Sequence, residues 1–320
     1  MEKNKPNSFA AVISNQLSKT RTVMGTRKIL STMTTRKILS ACLAVLLTPL
    51  AAHAQFNVFM PENHAKPDTI GSLQLRVQYE TRFYLDTVKQ EKPQEETMIL
   101  EVGSGVSKFY SYSKYICDSV YNADIANKAS QETINRHLNQ YGNALMTEII
   151  CKGFPAGQVI TQNAVAGCNR IRYEEKLEFP RWELTEETDT LLGMACRKAK
   201  CDFKGRHWTA WFTDEVAISE GPWKLGGLPG LILKAKDNEG HYCFTASGIE
   251  LCHTRRPITA ELKNYEAVSR KQYRKIHERY YDDPIGFIQS SQPGVSMTVT
   301  DGNGNKIRPR GIPSNPIERE

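Results

Sequence analysis

The sequence predicts an α+β fold, mainly β: a long, curved antiparallel sheet, open or bent into a half-barrel, with two helices. Three observations carry this. Apolar and polar residues alternate from Ser72 to Leu85, two further alternating runs flank Lys204-Gly205, and only two stretches show helical spacing. Period two marks a strand with one buried face, whereas apolar residues at i, i+4 and i+7 mark an amphipathic helix.

In the first strand Leu73, Leu75, Val77, Tyr79, Thr81, Phe83 and Leu85 alternate with Gln74, Arg76, Gln78, Glu80, Arg82 and Tyr84. Glu95 to Val102 and Val106 to Tyr115 follow as strands, joined by Gly103-Ser104-Gly105, which suits a hairpin connection. Ile134, Leu138, Tyr141 and Leu145 then recur at helical spacing with Ser130 as N-cap, predicting a helix packed on the sheet. A second helix is predicted after Ser269, which with Gln272 forms a capping box; Tyr273, Ile276 and Tyr280 share a face, and Asp283-Pro284 ends the helix.

Met194 to Phe203 and Arg206 to Thr213 predict strands joined by the two-residue turn Lys204-Gly205. That turn pairs Phe203 with Arg206, Cys201 with Trp208, Ala199 with Ala210 and Arg197 with Phe212. It sets Trp208 on one face and Trp211 on the other. Leu231 to Lys236 and His241 to Leu251 predict two more strands around the turn Asp237-Asn238-Glu239-Gly240, and Asp301-Gly302-Asn303-Gly304 marks a turn in the tail.

Between these lies Gly227-Leu228-Pro229-Gly230-Leu231-Ile232. Pro at the second place and Gly at the third suit a type II turn with Gly230 at positive φ. With Gly205-Arg206-His207-Trp208-Thr209-Ala210-Trp211-Phe212-Thr213, Gly221-Pro222-Trp223-Lys224 and Asn315-Pro316-Ile317-Glu318, this string resembles the GLPGLI family, exported proteins of Gram-negative bacteria with no established activity. The resemblance is most specific from Cys196 to Gly248. It implies an exported domain and supplies no catalytic residue.

Charge and targeting agree with export. Residues 1–54 hold eight of the 42 Lys and Arg and one of the 35 Asp and Glu, so the net charge of +7 resides there and the remainder is balanced. A nucleic-acid partner is therefore not expected. Arg36-Lys37, the apolar run from Ile38 to Leu50 and Ala52-His53-Ala54 form a signal-peptide succession cleaved after Ala54. The run is too short for a transmembrane span, which takes about 20 residues. Residues 1–32 are expected to be an extension upstream of a start at Met33, 33–54 the signal peptide, and 55–320 a single β-rich domain in the periplasm or outside the cell. Leu39-Ser40-Ala41-Cys42 matches a lipidation pattern, but most of the apolar run follows Cys42, the wrong order for such a signal.

Cys117, Cys151, Cys168, Cys196, Cys201, Cys243 and Cys252 remain after cleavage and are disulfide candidates in an oxidising compartment, the odd count leaving one over. A Cys–His nucleophile has no specific support beyond His207, His241 and His253 lying near cysteines in sequence. His241-x-Cys243 with Cys252-His253 has poor spacing for a metal. The loop from Gly221 to Gly227 lacks the Gly-Lys-Ser/Thr ending of a phosphate cradle. No cofactor or metal is expected.

Asp214 and Glu215 form an adjacent carboxylate pair near Trp211, the residue types of a glycosidase-like hydrolase. Arg206, Trp208, Trp211 and Trp223 concentrate aromatic and guanidinium groups of the kind enriched at binding surfaces, although core packing explains buried tryptophan as well. The function expected is a non-enzymatic binding or accessory protein of the envelope. Its ligand would be a small hydrophobic molecule or peptide in the concave sheet, or a protein partner on the loops; the alternative is the hydrolase.

Overall fold

The computed structural model describes residues 66–87, 92–142, 144–166, 169–254, 256–291, 299–300, 306–307 and 311–319. The expected signal peptide, its cleavage site and Cys168 lie outside them. β1 (Asp68–Ser72) leads into the alternating strand β2 (Leu75–Phe83), whose Leu75, Val77, Tyr79, Thr81 and Phe83 are buried in turn. β3 (Gln94–Gly103) and β4 (Val106–Ser111) form the expected hairpin, with Gly105 at φ +70°.

The expected continuation of β4 to Tyr115 is corrected: the chain turns into α1 (Tyr112–Ala126). Ser111 is the cause. Its hydroxyl accepts from the Lys114 amide at 3.0 Å and caps the helix, and Tyr112 and Tyr115 then stack about one turn apart. α2 (Gln131–Tyr141) starts at Ser130 as expected, but its main contact is α1, tied by His137 Nδ1 to the Asp124 carboxylate at 2.7 Å.

β5 (Ile149–Lys152), β6 (Gln158–Val165) and β7 (Asn169–Lys176) extend the sheet. β6 carries no period-two signal because Val159 to Asn163 are all buried, on both faces. β8 (Glu183–Leu191), β9 (Met194–Phe203), β10 (Arg206–Thr213), β11 (Leu231–Asp237) and β12 (Tyr242–Leu251) follow. The β9–β10 register pairs Phe203 with Arg206, Cys201 with Trp208, Ala199 with Ala210 and Arg197 with Phe212, as the sequence predicts. Lys204 and Gly205 both take positive φ, 51° and 75°, the turn that matches strand twist.

β13 (Pro257–Ala260) pairs with β1 in a small second sheet, and β14 (Glu266–Ala267) lies parallel to β7. The main sheet has 12 strands in the order β14-β7-β6-β5-β4-β3-β2-β12-β11-β10-β9-β8, and it is not closed into a barrel. α3 (Arg270–Asp282) begins at the Ser269–Gln272 capping box and buries Tyr273 edge-on against Tyr173 of β7, with ring centroids 4.7 Å apart. Asp283-Pro284 ends it and α4 (Pro284–Ser291) follows, making four helices among the described residues where two are predicted. None of them is long and apolar enough to cross a membrane. The turn predicted at 301–304 lies outside the described residues, flanked by the pairs Val299–Ile307 and Thr300–Lys306.

The sheet face expected to enclose an apolar ligand is filled instead. Tyr79, Phe83, Phe109, Trp208, Phe212 and Phe244 project from it and pack with Trp223, Leu225 and Leu228 of the glycine-rich loop and with Ile317 near the C-terminus. A core at ordinary packing density leaves such a face no ligand volume.

Candidate functional site

The glycine-rich segment between β10 and β11 is built on a buried lysine. Lys152, 1 % exposed, donates its Nζ to the carbonyls of Leu225 (2.8 Å) and Gly221 (3.1 Å) and pairs with Glu220 at 2.6 Å. Trp182 Nε1 donates to the Gly226 carbonyl at 2.8 Å. Carbonyls thus converge on an ammonium, the opposite polarity to a phosphate cradle, whose amides face the ligand.

The positive-φ turn expected at Gly230 is corrected. Gly227 takes positive φ, at 86°, and Gly230 does not. Gly230 is glycine for a different reason: a Cβ there would sit 2.1 Å from the Thr213 carbonyl oxygen, where β10 and the entrance of β11 cross. Leu231, Ile232 and Leu233 are all buried, because both faces of β11 are covered at this end.

Of the aromatic and guanidinium cluster, three members lie inside. Trp208 and Trp223 pack ring on ring at 5.6 Å, 1 % and 2 % exposed, and Trp208 stacks on Phe244. Arg206 is buried between β10 and the segment 315–319. It pairs with Asp237 at 2.6 Å and donates to the Ile317 and Pro316 carbonyls and to Asn315 Oδ1. Arg319 pairs with Glu239, and Tyr242 donates its hydroxyl to the Asn315 carbonyl. Asp237, Glu239 and His241 bring their ligand atoms within 4.8 Å of one another, but both carboxylates already face guanidinium groups, which leaves little charge for a cation.

A second buried network, which sequence reasoning missed, centres on Lys224. Its Nζ meets Tyr173 Oη (2.7 Å), Glu175 (2.5 Å) and Glu318. Burial works against its charge, but Tyr173, Glu318 and Glu175 outweigh that and hold the ammonium firmly protonated. Nearby, Tyr273 donates to Glu148 at 2.8 Å; burial, with Glu318 second, pushes the Glu148 carboxyl above the usual range. His277 stacks on Tyr273 at 4.5 Å with no partner on Nε2, and burial pushes it down to about 4. Only the Gly-Pro-Trp-Lys string hinted at Lys224, because a buried lysine is rare enough that composition argues against it.

Asp214 and Glu215 sit on the exposed turn after β10. Asp214 pairs with Arg197 at 2.8 Å, and Glu215 accepts the Ala195 amide at 2.8 Å. Each is occupied separately, and the two share no enclosed cleft. Cys117, Cys151, Cys196, Cys201, Cys243 and Cys252 are free thiols, so the disulfides expected of an exported chain are not formed among the described residues. Burial pushes Cys117 and Cys151 up to about 11 and Cys201 up to about 12, which suppresses the nucleophilic thiolate.

Trp211 stands apart. It lies on the outer face of β10, partly exposed, opposite Lys198 of β9 and Lys234 of β11. The amines of Lys234, Lys236 and Lys198 lie 4.8, 5.7 and 5.8 Å from its ring centroid. Cations at this distance are attracted to the ring face and spread their stems over it. The arrangement offers an aromatic platform rimmed by hydrogen-bond donors.

Residues 158–275 match a family model described as the N-terminal domain of N-glycanase peptide. No curated protein matches. Among solved structures, the chain is similar to PNGF-II in the C2 space group, at 15 % identity and TM-score 0.42, covering 63 % of this chain and 32 % of that one. It is similar also to PNGF-II in the P21 space group, at 14 % identity and TM-score 0.43, covering 72 % and 39 %. The chain thus spans less than two fifths of the length of either of these structures. The matched segment contains Gly227 to Ile232, and this overturns the resemblance to the GLPGLI family: the similarity found across that string is to the N-glycanase N-terminal domain.

Proposed function

We propose that this chain is an exported, non-catalytic glycan-recognition module of a single domain over residues 55–320, which binds carbohydrate of glycoproteins through the outer face of β9–β11. Trp211 carries the reading. It packs against the edge of the core but keeps its ring partly exposed, whereas Trp208 and Trp223 are enclosed, and a partly exposed indole on a sheet face is suited to the apolar face of a sugar ring. The match to the N-terminal domain of N-glycanase peptide supports carbohydrate as the ligand class. The filled sheet face favours an outer-face ligand over a hydrophobic one held within.

The hydrolase alternative, with Asp214 and Glu215 as the carboxylate pair, has both groups on an exposed turn, each already engaged by its own partner, Arg197 and the Ala195 amide. Incubating the purified protein with an N-glycosylated protein and its deglycosylated form tests both readings. Binding to the first alone, lost in Trp211→Ala with melting temperature retained and no glycan released by mass spectrometry, supports the module. Glycan release that depends on Asp214 and Glu215 supports the hydrolase and removes the proposal.

A further inference from the structure

Resting on the glycan reading, we infer that the ligand of this face is an acidic saccharide, one carrying carboxylate or sulfate groups, and that Lys234 and Lys236 select it. The β-register fixes the frame. Lys198 and Lys234 are the cross-strand partners of Trp211, and Lys200 and Lys236 are those of Thr209, two residues along the same face. Adjacent strands lie about 4.8 Å apart and two residues rise about 6.8 Å, so four ammonium stems form a rectangle about 10 Å by 7 Å with the indole on one side.

The uncompensated charge in this frame lies on its β11 side. Lys198 pairs with Glu187 at 2.5 Å, and Lys200 faces Glu183 across β8 and also feels Glu187, whereas among the described residues Lys234 and Lys236 make no ion pair with a carboxylate. On the far side, Lys234 and Lys236 face Thr245 and Cys243 of β12, neither of them a carboxylate. Holding cations of one sign this close is unfavourable unless an anion settles among them. The remainder of the chain beyond residue 54 is charge-balanced, so this positive field is local.

A single aromatic platform distinguishes the ligand further. Single-stranded nucleic acid is held by a basic groove with several stacking rings in succession, and a membrane surface by an amphipathic apolar stripe. The β9–β11 face offers one ring and no apolar stripe. An acidic sugar chain needs one stacked ring with charged substituents reaching to either side, which the frame provides.

The test uses the full chain purified from an expressing host, with chondroitin sulfate and polygalacturonate oligosaccharides as acidic probes. A high-mannose oligosaccharide serves as the neutral probe and a single-stranded oligonucleotide as the competing polyanion. We expect the acidic saccharides to bind roughly tenfold or more tighter than the neutral one, and to weaken as salt rises from about 0.05 to 0.2 M. The double variant Lys234→Gln/Lys236→Gln should lose roughly tenfold more for the acidic probes than for the neutral one, with the melting temperature retained. The control Lys271→Gln/Lys275→Gln on α3 should lose nothing.

Equal binding of neutral and acidic sugars, indifferent to the β11 lysines, overturns this inference while leaving the glycan module intact. Absence of any carbohydrate binding overturns both. An oligonucleotide that binds as tightly as the acidic sugars, or a loss that follows the α3 variant, also refutes the assignment.

Discussion

Arg206 and Asp237 meet at 2.6 Å in the core, and the same guanidinium holds the carbonyls of Pro316 and Ile317 at 2.7 and 2.9 Å. One side chain therefore joins β10, β11 and the segment 315–319. Arg206→Ala should destabilise the protein by about 3–5 kcal/mol, because it leaves Asp237 buried without its partner. Arg206→Lys should recover little, since a single ammonium cannot match the planar fork. Urea unfolding checks both, and a lysine variant as stable as the parent would show that the fork is dispensable.

Gly230→Ala should cost roughly 1–3 kcal/mol or more, as overpacking does, since the added methyl meets the Thr213 carbonyl at 2.1 Å. Leu231→Ala, at a fully buried position, should cost about 2–5 kcal/mol. An unchanged melting temperature for Gly230→Ala would mean that β10 and β11 separate there without penalty.

Trp208→Ala should cost about 3–5 kcal/mol, because it empties the stack with Trp223 and Phe244. Trp211→Ala should cost much less, since its ring already borders solvent. Equal losses measured side by side by calorimetry would place Trp211 in the core and leave the recognition face without its platform.

His277 gives stability a defined pH dependence. Its folded value of about 4 lies below the ordinary value of 6.5, so the folded state prefers the neutral ring. The associated stability is fully present above about pH 6.5 and is lost as pH falls toward 4, by roughly 3 kcal/mol at most. Glu148 runs the other way: its raised pKa makes its contribution largest at low pH and diminishes it as pH rises past the carboxylate range. Melting curves of parent and His277→Phe between pH 4 and 7 should converge as pH falls; parallel curves would contradict the assignment.

Thiol labelling followed by mass spectrometry should find Cys151 and Cys201 protected in the folded protein and reactive once it is unfolded without reductant. Any thiol still blocked after unfolding would identify a bridge, contrary to the six free cysteines.

The β9–β10 hairpin was legible residue by residue because two independent signals agree there, strict alternation and a two-residue turn whose second member is Gly205. α1 was not, since Tyr110, Tyr112 and Tyr115 imitate a strand pattern and the deciding signal is the single hydroxyl of Ser111. β6 was hidden because burial on both faces erases alternation. Gly230 reads in sequence as a positive-φ residue of a turn but is required sterically, and only the through-space approach of Thr213 distinguishes the two. The platform at Trp211 was half legible: the hairpin placed it on the face opposite Trp208, but two of the lysines around it come from β11, whose register with β10 no local turn in the sequence sets.

The segment 315–319 also makes the order of synthesis matter. Arg206, Lys224 and Tyr242 find partners in Ile317, Glu318 and Asn315, between 73 and 111 positions downstream. Until those residues have been made, two cations and a phenol stand in a nearly finished interior without all their acceptors. The interior is therefore completed only when the last residues of that segment arrive, and a copy terminated before them would leave this seam unlatched.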